Sequence, residues 1–454
     1  MIEDILPFLM FASMAVLLFS GFPVAFVLGG VALAFGLLGI AFGMFSFMEF
    51  NNIVYRIWGG VAENVLLVSV PMFVLMGVAL EKSGVADDLL NCLARLFRRV
   101  PGSLAVALTI MGTVLAASTG IVGASIVMLG VIGLPTMMRL RYRPELATGT
   151  ICAAGTLGIL IPPSIMLVLM GDLMRLSVGD LFMGAVFPGL LLASLYTVYI
   201  VVLCYFRPDF GPPIAAADDA NETVGDLVWM FLKALGPPLF LIGLVLGSIF
   251  FGWTTPTEAS GVGAFGAFIL AAVNRRLSFS VVKDILDQTV ITVAMVFVIF
   301  IGATAFSYVF RSLGGEEVAE HALLSLKLGP WALLFVLMGI IFLLGFFFEW
   351  LEIILIVLPL FGPIVKVMDF GGHVPSPDIA LWFAILVAVN LQTSFLTPPF
   401  GFALFYIKGV APPEVTMGHI YRGIIPFVIL QLIGLGLVMA FPAIATWLPS
   451  VAFT

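Results

Sequence analysis

Two apolar stretches of this chain combine oxygen-bearing side chains with a Pro-Pro pair: GTLGILIPPS at 155–164 and NLQTSFLTPP at 390–399. Proline lacks an amide donor and clashes with the turn before it, so Pro162 and Pro163 release carbonyls from about Gly158 to Ile161. With the hydroxyls of Ser118, Thr119, Ser125 and Thr156, those carbonyls are hard oxygen ligands suited to a small cation. At the second break Gln392, Thr393, Ser394 and Thr397 precede Pro398 and Pro399, and Asn390 lies one turn earlier. A second cation site is expected there. Half-helix N-termini nearby offer positive dipole ends for an anion. A carboxylate is expected at Ser125, Thr156, Ser164, Gln392 and Ser394. Glu349 and Glu352 are the only acids between Glu320 and Asp369. At mid-membrane each would cost about 2.5–3.5 kcal/mol, and their spacing of three puts both on one helical face. They are read as cation-binding or gating groups; the alternative is a hairpin tip high enough for both to reach water. Glu258, after Thr255, Pro256 and Thr257, reads as ordinary helix capping.

Other chemistries find little support. His321, His373 and His419 are isolated in polar loops. Cys92, Cys152 and Cys204 are scattered and odd in number, so neither a disulfide framework nor a zinc site is expected. No GxxxxGK[ST] loop occurs, and no cluster of catalytic His, Cys or paired Asp lies in the apolar spans. The chain is read as no enzyme and no nucleic-acid binder.

What must position these residues is a set of membrane helices. The 454 residues are 62% hydrophobic and 10% charged, against roughly 25% charged in soluble domains. Mean hydropathy is +1.22. Apolar runs of about 20 residues recur from end to end, each long enough for a bilayer core of about 30 Å. The class expected is an all-α polytopic membrane protein lying in a lipid bilayer. Ile5–Phe19 has no basic flank before it and reads as a retained helix, not a cleaved signal.

Landmarks repeat. The Pro-Pro pairs lie 236 residues apart, FPVAFVLGG and TPTEASGVG 233 apart, and VPGSLAVALTIMG and GPWALLFVLMG 229 apart. Two homologous halves, 1–206 and 231–454, meet at a polar linker, 207–230. Spans are placed at 5–20, 24–44, 64–81, 145–171 and 181–206, then 235–252, 257–274, 290–310, 380–407 and 423–447. Residues 145–171 and 380–407 are broken helices; 101–138 and 331–365 are re-entrant hairpins, with turns near Ser118–Ser125 and Gly345–Glu352. Five crossings per half make the repeat inverted, with one hairpin opening to each side. Both termini then lie outside. This leaves Arg56, Arg175, Arg311, Lys327 and Lys366 as the outer five of 19 basic residues, in line with the positive-inside rule. Segments 45–63 and 277–289 are amphipathic and are expected along the membrane surface.

The stretches STGIVGASIVMLGVIGLPTM, LATGTICAAGTLGILIPPSI, TPTEASGVGA, GFFFEWLEIILIVLPLFGPI and NLQTSFLTPPFGFALF resemble the large membrane (M) subunit of tripartite ATP-independent periplasmic (TRAP) transporters. Of its subgroups, the mannitol/chloroaromatic type looks nearest, although the loop GDLMRLSVGD is short for it. The first tip, GIVGAS, also lacks the serine-rich run of many members. The resemblance implies a sodium-driven importer of organic acids in the bacterial inner membrane, with an elevator mechanism and no organic cofactor. A periplasmic substrate-binding (P) protein and a small four-helix membrane (Q) subunit are the partners it implies. It puts one sodium site at Ser118, Thr119, Gly123, Ser125, Gly155, Thr156, Gly158, Ile161 and Pro163. The other falls at Gly345, Glu349, Glu352, Gln392, Thr393, Thr397 and Pro399. The main alternative is a stand-alone sodium–carboxylate symporter; an intramembrane enzyme and a channel fit the pattern less well.

Overall fold

The computed structural model describes residues 2–98, 100–119, 122–212, 224–318, 321, 328–398 and 401–452, with the backbone alone at 2–4, 87, 91, 116–119 and 224–228. Every regular element among them is helical. Among the described residues, nine helices are long and apolar enough to cross a membrane.

The first half runs through α1 (Ile2–Phe19), α2 (Val24–Ala41), α3 (Glu49–Ile57), α4 (Ser69–Lys82), α5 (Val85–Leu96), α6 (Ser103–Thr119), α7 (Val122–Arg139), α8 (Pro144–Thr156), α9 (Ile165–Met174) and α10 (Val178–Phe206). The second runs through α11 (Val224–Phe250), α12 (Pro256–Val273), α13 (Phe279–Ser312), α14 (Pro330–Leu344), α15 (Trp350–Lys366), α16 (Ile379–Ser394), α17 (Phe402–Val410), α18 (Met417–Ala440) and α19 (Ala443–Ala452). Starts obey local chemistry. Pro144 and Pro256 occupy first-turn positions where the missing donor costs nothing. Thr255 and Glu258 form a reciprocal capping box, so Glu258 caps α12 as its position implied.

Helices α6–α7 and α14–α15 are the two hairpins; α8–α9 and α16–α17 are the two broken helices. Packing between the halves is reciprocal: α2 lies on α13 as α12 lies on α4, α7 on α17 as α15 on α9, and α8 on α18 as α16 on α10. A two-fold relation between the halves produces this pattern. The architecture is therefore an all-α polytopic membrane fold, an inverted repeat with two hairpins and two broken helices. Glycine makes the closest crossing possible. A Cβ on Gly149 would stand 2.2 Å from the Gly423 carbonyl oxygen, and one on Gly423 2.2 Å from that of Glu145. Membrane helices approach so closely only across small residues.

One expectation changes and one element is added. Residues 277–289 form no separate surface helix; α13 is continuous over 34 residues and carries them into the membrane span. The equivalent first-half segment does break, through a π turn (Trp58–Ala62) and a 3₁₀ turn (Val65–Val68) capped by Asn64. Helix α5 was not anticipated as an element. Val85, Leu89 and Leu93 are buried on one of its faces, which packs on α6 and α11.

The hairpins are anchored differently at their bases. Beside the first, Arg143 pairs with Asp209 at 2.6 Å and lies 4.4 Å over the Phe210 ring. The Leu104 amide donates to the Tyr142 hydroxyl at 3.3 Å, and burial pushes that hydroxyl above the usual tyrosine range. Beside the second, Trp331, Phe370, His373 and Trp382 stack edge to face, and His373 Nε2 lies 2.8 Å from the Met439 carbonyl oxygen. His373 is thus a packed aromatic rather than an isolated loop residue.

Candidate ion and solute site at the two helix breaks

Both breaks sit in the driest part of the molecule. Every residue of α16 is buried, as is α8 from Leu146 to Thr156. At the first break the chain leaves α8 through a 3₁₀ turn at Leu157–Ile159, passes a cis Pro162–Pro163 bond and enters α9 at Ser164. Ser164 Oγ bonds the Ile159 carbonyl and accepts from the Leu167 amide at 3.4 Å. Thr156 Oγ1 donates to the Ala153 carbonyl at 2.9 Å. Both hydroxyls therefore serve their own backbone. Among the described residues no backbone hydrogen bond reaches the carbonyls of Gly158, Leu160 and Ile161, close to the set that the two prolines were expected to release.

The first hairpin tip adjoins this break and also the second broken helix. A Cβ on Gly155 would meet Ile126 Cγ1 at 2.5 Å, and one on Gly123 would meet the Tyr406 ring at 2.7 Å. Ser125 is buried at the start of α7. The backbone of Ser118 and Thr119 ends α6, while their side chains, with Gly120 at the expected turn, lie outside the described residues.

At the second break the hydroxyls of Thr393, Ser394 and Thr397 bond the carbonyls of Asn390, Leu391 and Thr393 at 2.7, 2.5 and 3.0 Å. The chain reaches Pro398 and resumes at Gly401; Pro399 lies outside the described residues. Gly345 lets the second tip close on α16, since a Cβ there would stand 2.5 Å from Ser394 Cβ. Three buried oxygens here have no partner: Glu352 Oε2, Asn390 Oδ1 and Gln392 Oε1. Asn390 Nδ2 is held by the Met338 carbonyl at 2.8 Å and Gln392 Nε2 by Ala388 at 3.4 Å, so the oxygen is the free end of each amide.

The two glutamates are neighbours at the start of α15, though only Glu352 lies within the helix. Glu349 precedes α15 as an extended N-cap residue with φ −76° and ψ 160°, and Glu352 lies in the first turn. Glu352 is 2% exposed, which removes the reading in which it reaches water. A buried carboxylate without a counter-charge is strongly unfavourable, and an unpaired polar oxygen at membrane depth costs several kcal/mol. Each of these oxygens can accept from a donor or a cation. Residues Gly155–Ser164 with the first tip, and Gln392–Thr397 with the second, are thus brought into two adjoining clusters.

Sequence reasoning missed two features at the far end of α9. Asn64 Nδ2 donates to Asp172 Oδ1 at 2.7 Å, tying the turn before α4 to the broken helix. Arg56 and Arg311 line one cavity beside Leu173. An acid inside the GD pair at 171–172 was the available signal for the first; nothing in linear order joins Arg56 to Arg311.

A family profile described as "Tripartite ATP-independent periplasmic transporter, DctM component" matches residues 11–444. The chain belongs to that family. Its relatives include the sialic acid TRAP transporter large permease protein SiaM of Vibrio cholerae, 29% identical over 95% of this chain and 96% of that protein. The C4-dicarboxylate TRAP transporter large permease protein DctM of Pseudomonas aeruginosa is 30% identical over 86% of this chain and 87% of its own. The isethionate TRAP transporter permease protein DctMQ of Oleidesulfovibrio alaskensis is 30% identical over 97% of this chain and 66% of that protein. Among solved structures, the Alcanivorax borkumensis YdaH transporter superposes with a TM-score of 0.58 over 87% of each chain at 16% identity, a likeness of fold. As a TRAP family permease, the chain is a multi-pass membrane transport protein, and these relatives are permeases rather than enzymes.

Proposed function

We propose that this TRAP permease imports small organic acids across a bacterial inner membrane, coupled to sodium entry and working as an elevator. The observation that carries the reading is the set of unpartnered buried oxygens at the second break: Glu352 Oε2, Asn390 Oδ1 and Gln392 Oε1. Sodium would satisfy the Glu352 carboxylate there, and the unbonded carbonyls of Gly158, Leu160 and Ile161 would hold a second ion at the first break. The solute's carboxylate would lie between, toward Ser125 and Ser394. Hairpins and broken helices would move together against α2, α4, α12 and α13. A periplasmic binding protein and a small membrane subunit are the proposed partners, in keeping with the tripartite family description. Repeats 1–206 and 231–454 are proposed to be mirrored about the membrane plane, with both termini periplasmic.

Proteoliposomes carrying this chain and its small subunit test the proposal with labelled succinate, a binding protein and an imposed sodium gradient. Uptake should require both the gradient and the binding protein. Uptake by this chain alone would assign it to the stand-alone symporters, and sodium-independent uptake would remove the ion sites.

A further inference from the structure

The cavity beside Leu173 has the chemistry of an anion site distinct from the two breaks. It encloses about 190 Å³, below the ~300–1,000 Å³ of sites for drug-sized ligands, so it admits a small solute or one end of a larger one. Its polar lining is Arg56, Thr304, Ser307, Tyr308 and Arg311. The last four recur at helical spacing on α13 and present one face.

Arg56 is held over that face by its own helix. Asn52 Nδ2 donates to the Tyr308 hydroxyl at 3.0 Å, and Arg56 follows Asn52 by one turn of α3. Nearby acids are committed elsewhere: Asp172 to Asn64 at 2.7 Å, Glu63 to the Trp58 indole at 2.7 Å and Glu49 to the Ser46 amide at 2.6 Å. Arg311 pairs with Glu316 at 2.6 Å, but both partners are about half exposed, so an incoming oxyanion can exchange with that carboxylate. Among the described residues Arg56 makes no ion pair. Those carboxylates keep their charge but make no ion pair with Arg56, which leaves its guanidinium as the cavity's unpaired cation among the described residues.

The two-fold relation sharpens this. The segment Glu49–Lys82 is as long as the 34-residue α13 and lies 230 residues before it. At that offset Arg56 corresponds to Leu286 and Arg311 to Glu81. The symmetric place on the other side has lost both arginines and gained an acid. In the proposed orientation the arginines lie outside, where basic residues are disfavoured. Their common cavity gives them a reason to be there.

We infer that Arg56 and Arg311 form an outer, sodium-independent way-station for the carboxylate or sulfonate of the solute, between α3–α13 on one wall and α9–α15 on the other. It deepens the proposed transport function and rests on that orientation. A solute is attracted at this mouth and passes to the helix breaks.

The test measures equilibrium binding of labelled succinate and isethionate to the chain with its small subunit, in phosphatidylcholine nanodiscs and sodium-free potassium buffer. Saturable binding is expected, about tenfold weaker in Arg56→Gln and partly restored in Arg56→Lys. Arg311→Gln serves as a second variant, and melting curves confirm that each protein is folded. In transport, Arg56→Gln should raise the solute KM while leaving sodium activation unchanged. Equal sodium-free binding by wild type and Arg56→Gln, or none by either, would overturn the site. Loss of succinate binding in phosphatidylglycerol nanodiscs would also overturn it, assigning the cavity to a lipid phosphate. Because this arm needs neither sodium nor transport, its failure is separable from failure of sodium-driven uptake.

Discussion

The two helix breaks occupy equivalent places, yet they solve the same physical problem with different atoms. At the first, Thr156 and Ser164 spend their hydroxyls on local carbonyls, and what remains is main-chain oxygen at Gly158, Leu160 and Ile161. At the second, the three hydroxyls are likewise committed, but side-chain oxygens from Glu352, Asn390 and Gln392 are left over. A backbone ligand is fixed by the path of the chain and carries no formal charge. A buried carboxylate brings its own charge and makes the site depend on an ion for neutrality. The difference teaches that the second site should be the more sensitive to mutation and the first the more sensitive to chain geometry.

The harshest test of that contrast is Glu352→Gln. Removing the charge should weaken sodium activation of uptake by about 100-fold, the scale of losing one partner of a buried ion pair. Wild-type activation would return Glu352 to a packing role. Gly149→Leu probes geometry instead. With only 2.2 Å to the Gly423 oxygen, it should force α8 from α18 and cost about 1–3 kcal/mol or more, read as a lowered melting temperature. Gln392→Leu should cost about fivefold to tenfold in sodium affinity, near 1–1.5 kcal/mol for one lost interaction. An unchanged sodium titration would separate Gln392 from the ion. Ser164→Ala should lower stability by about 1 kcal/mol through the lost cap while changing sodium affinity less than about twofold. A large affinity change would make Ser164 a ligand after all.

The smallest effect concerns the hairpin bases. The buried Tyr142 hydroxyl ionises above the usual tyrosine value, so the folded chain favours its protonated form. Its contribution is complete below about pH 10 and fades as pH rises through the raised value. Melting curves between about pH 9 and 11 should therefore be flatter for Tyr142→Phe than for wild type.

Much of the fold was legible. Pro256, the Thr255–Glu258 box and both Pro-Pro pairs act within a turn or two, and local rules read them correctly. The continuous α13 was not legible, because amphipathic character in 277–289 says which face is polar without saying whether a helix stops. Nor was the start of α15 between Glu349 and Glu352, which depends on one extended residue at the hairpin tip.

By itself the sequence determined the membrane class, the repeat and the places where helices must be interrupted, because hydropathy and proline stereochemistry are local. Only the tertiary structure decided which freed oxygens stay unpaired, since a hydroxyl committed to a carbonyl one turn away cannot be told from an available one without coordinates. It also decided that Arg56 and Arg311, 255 residues apart, share one cavity. Such meetings follow from how the two halves pack, and no local property of the chain encodes them.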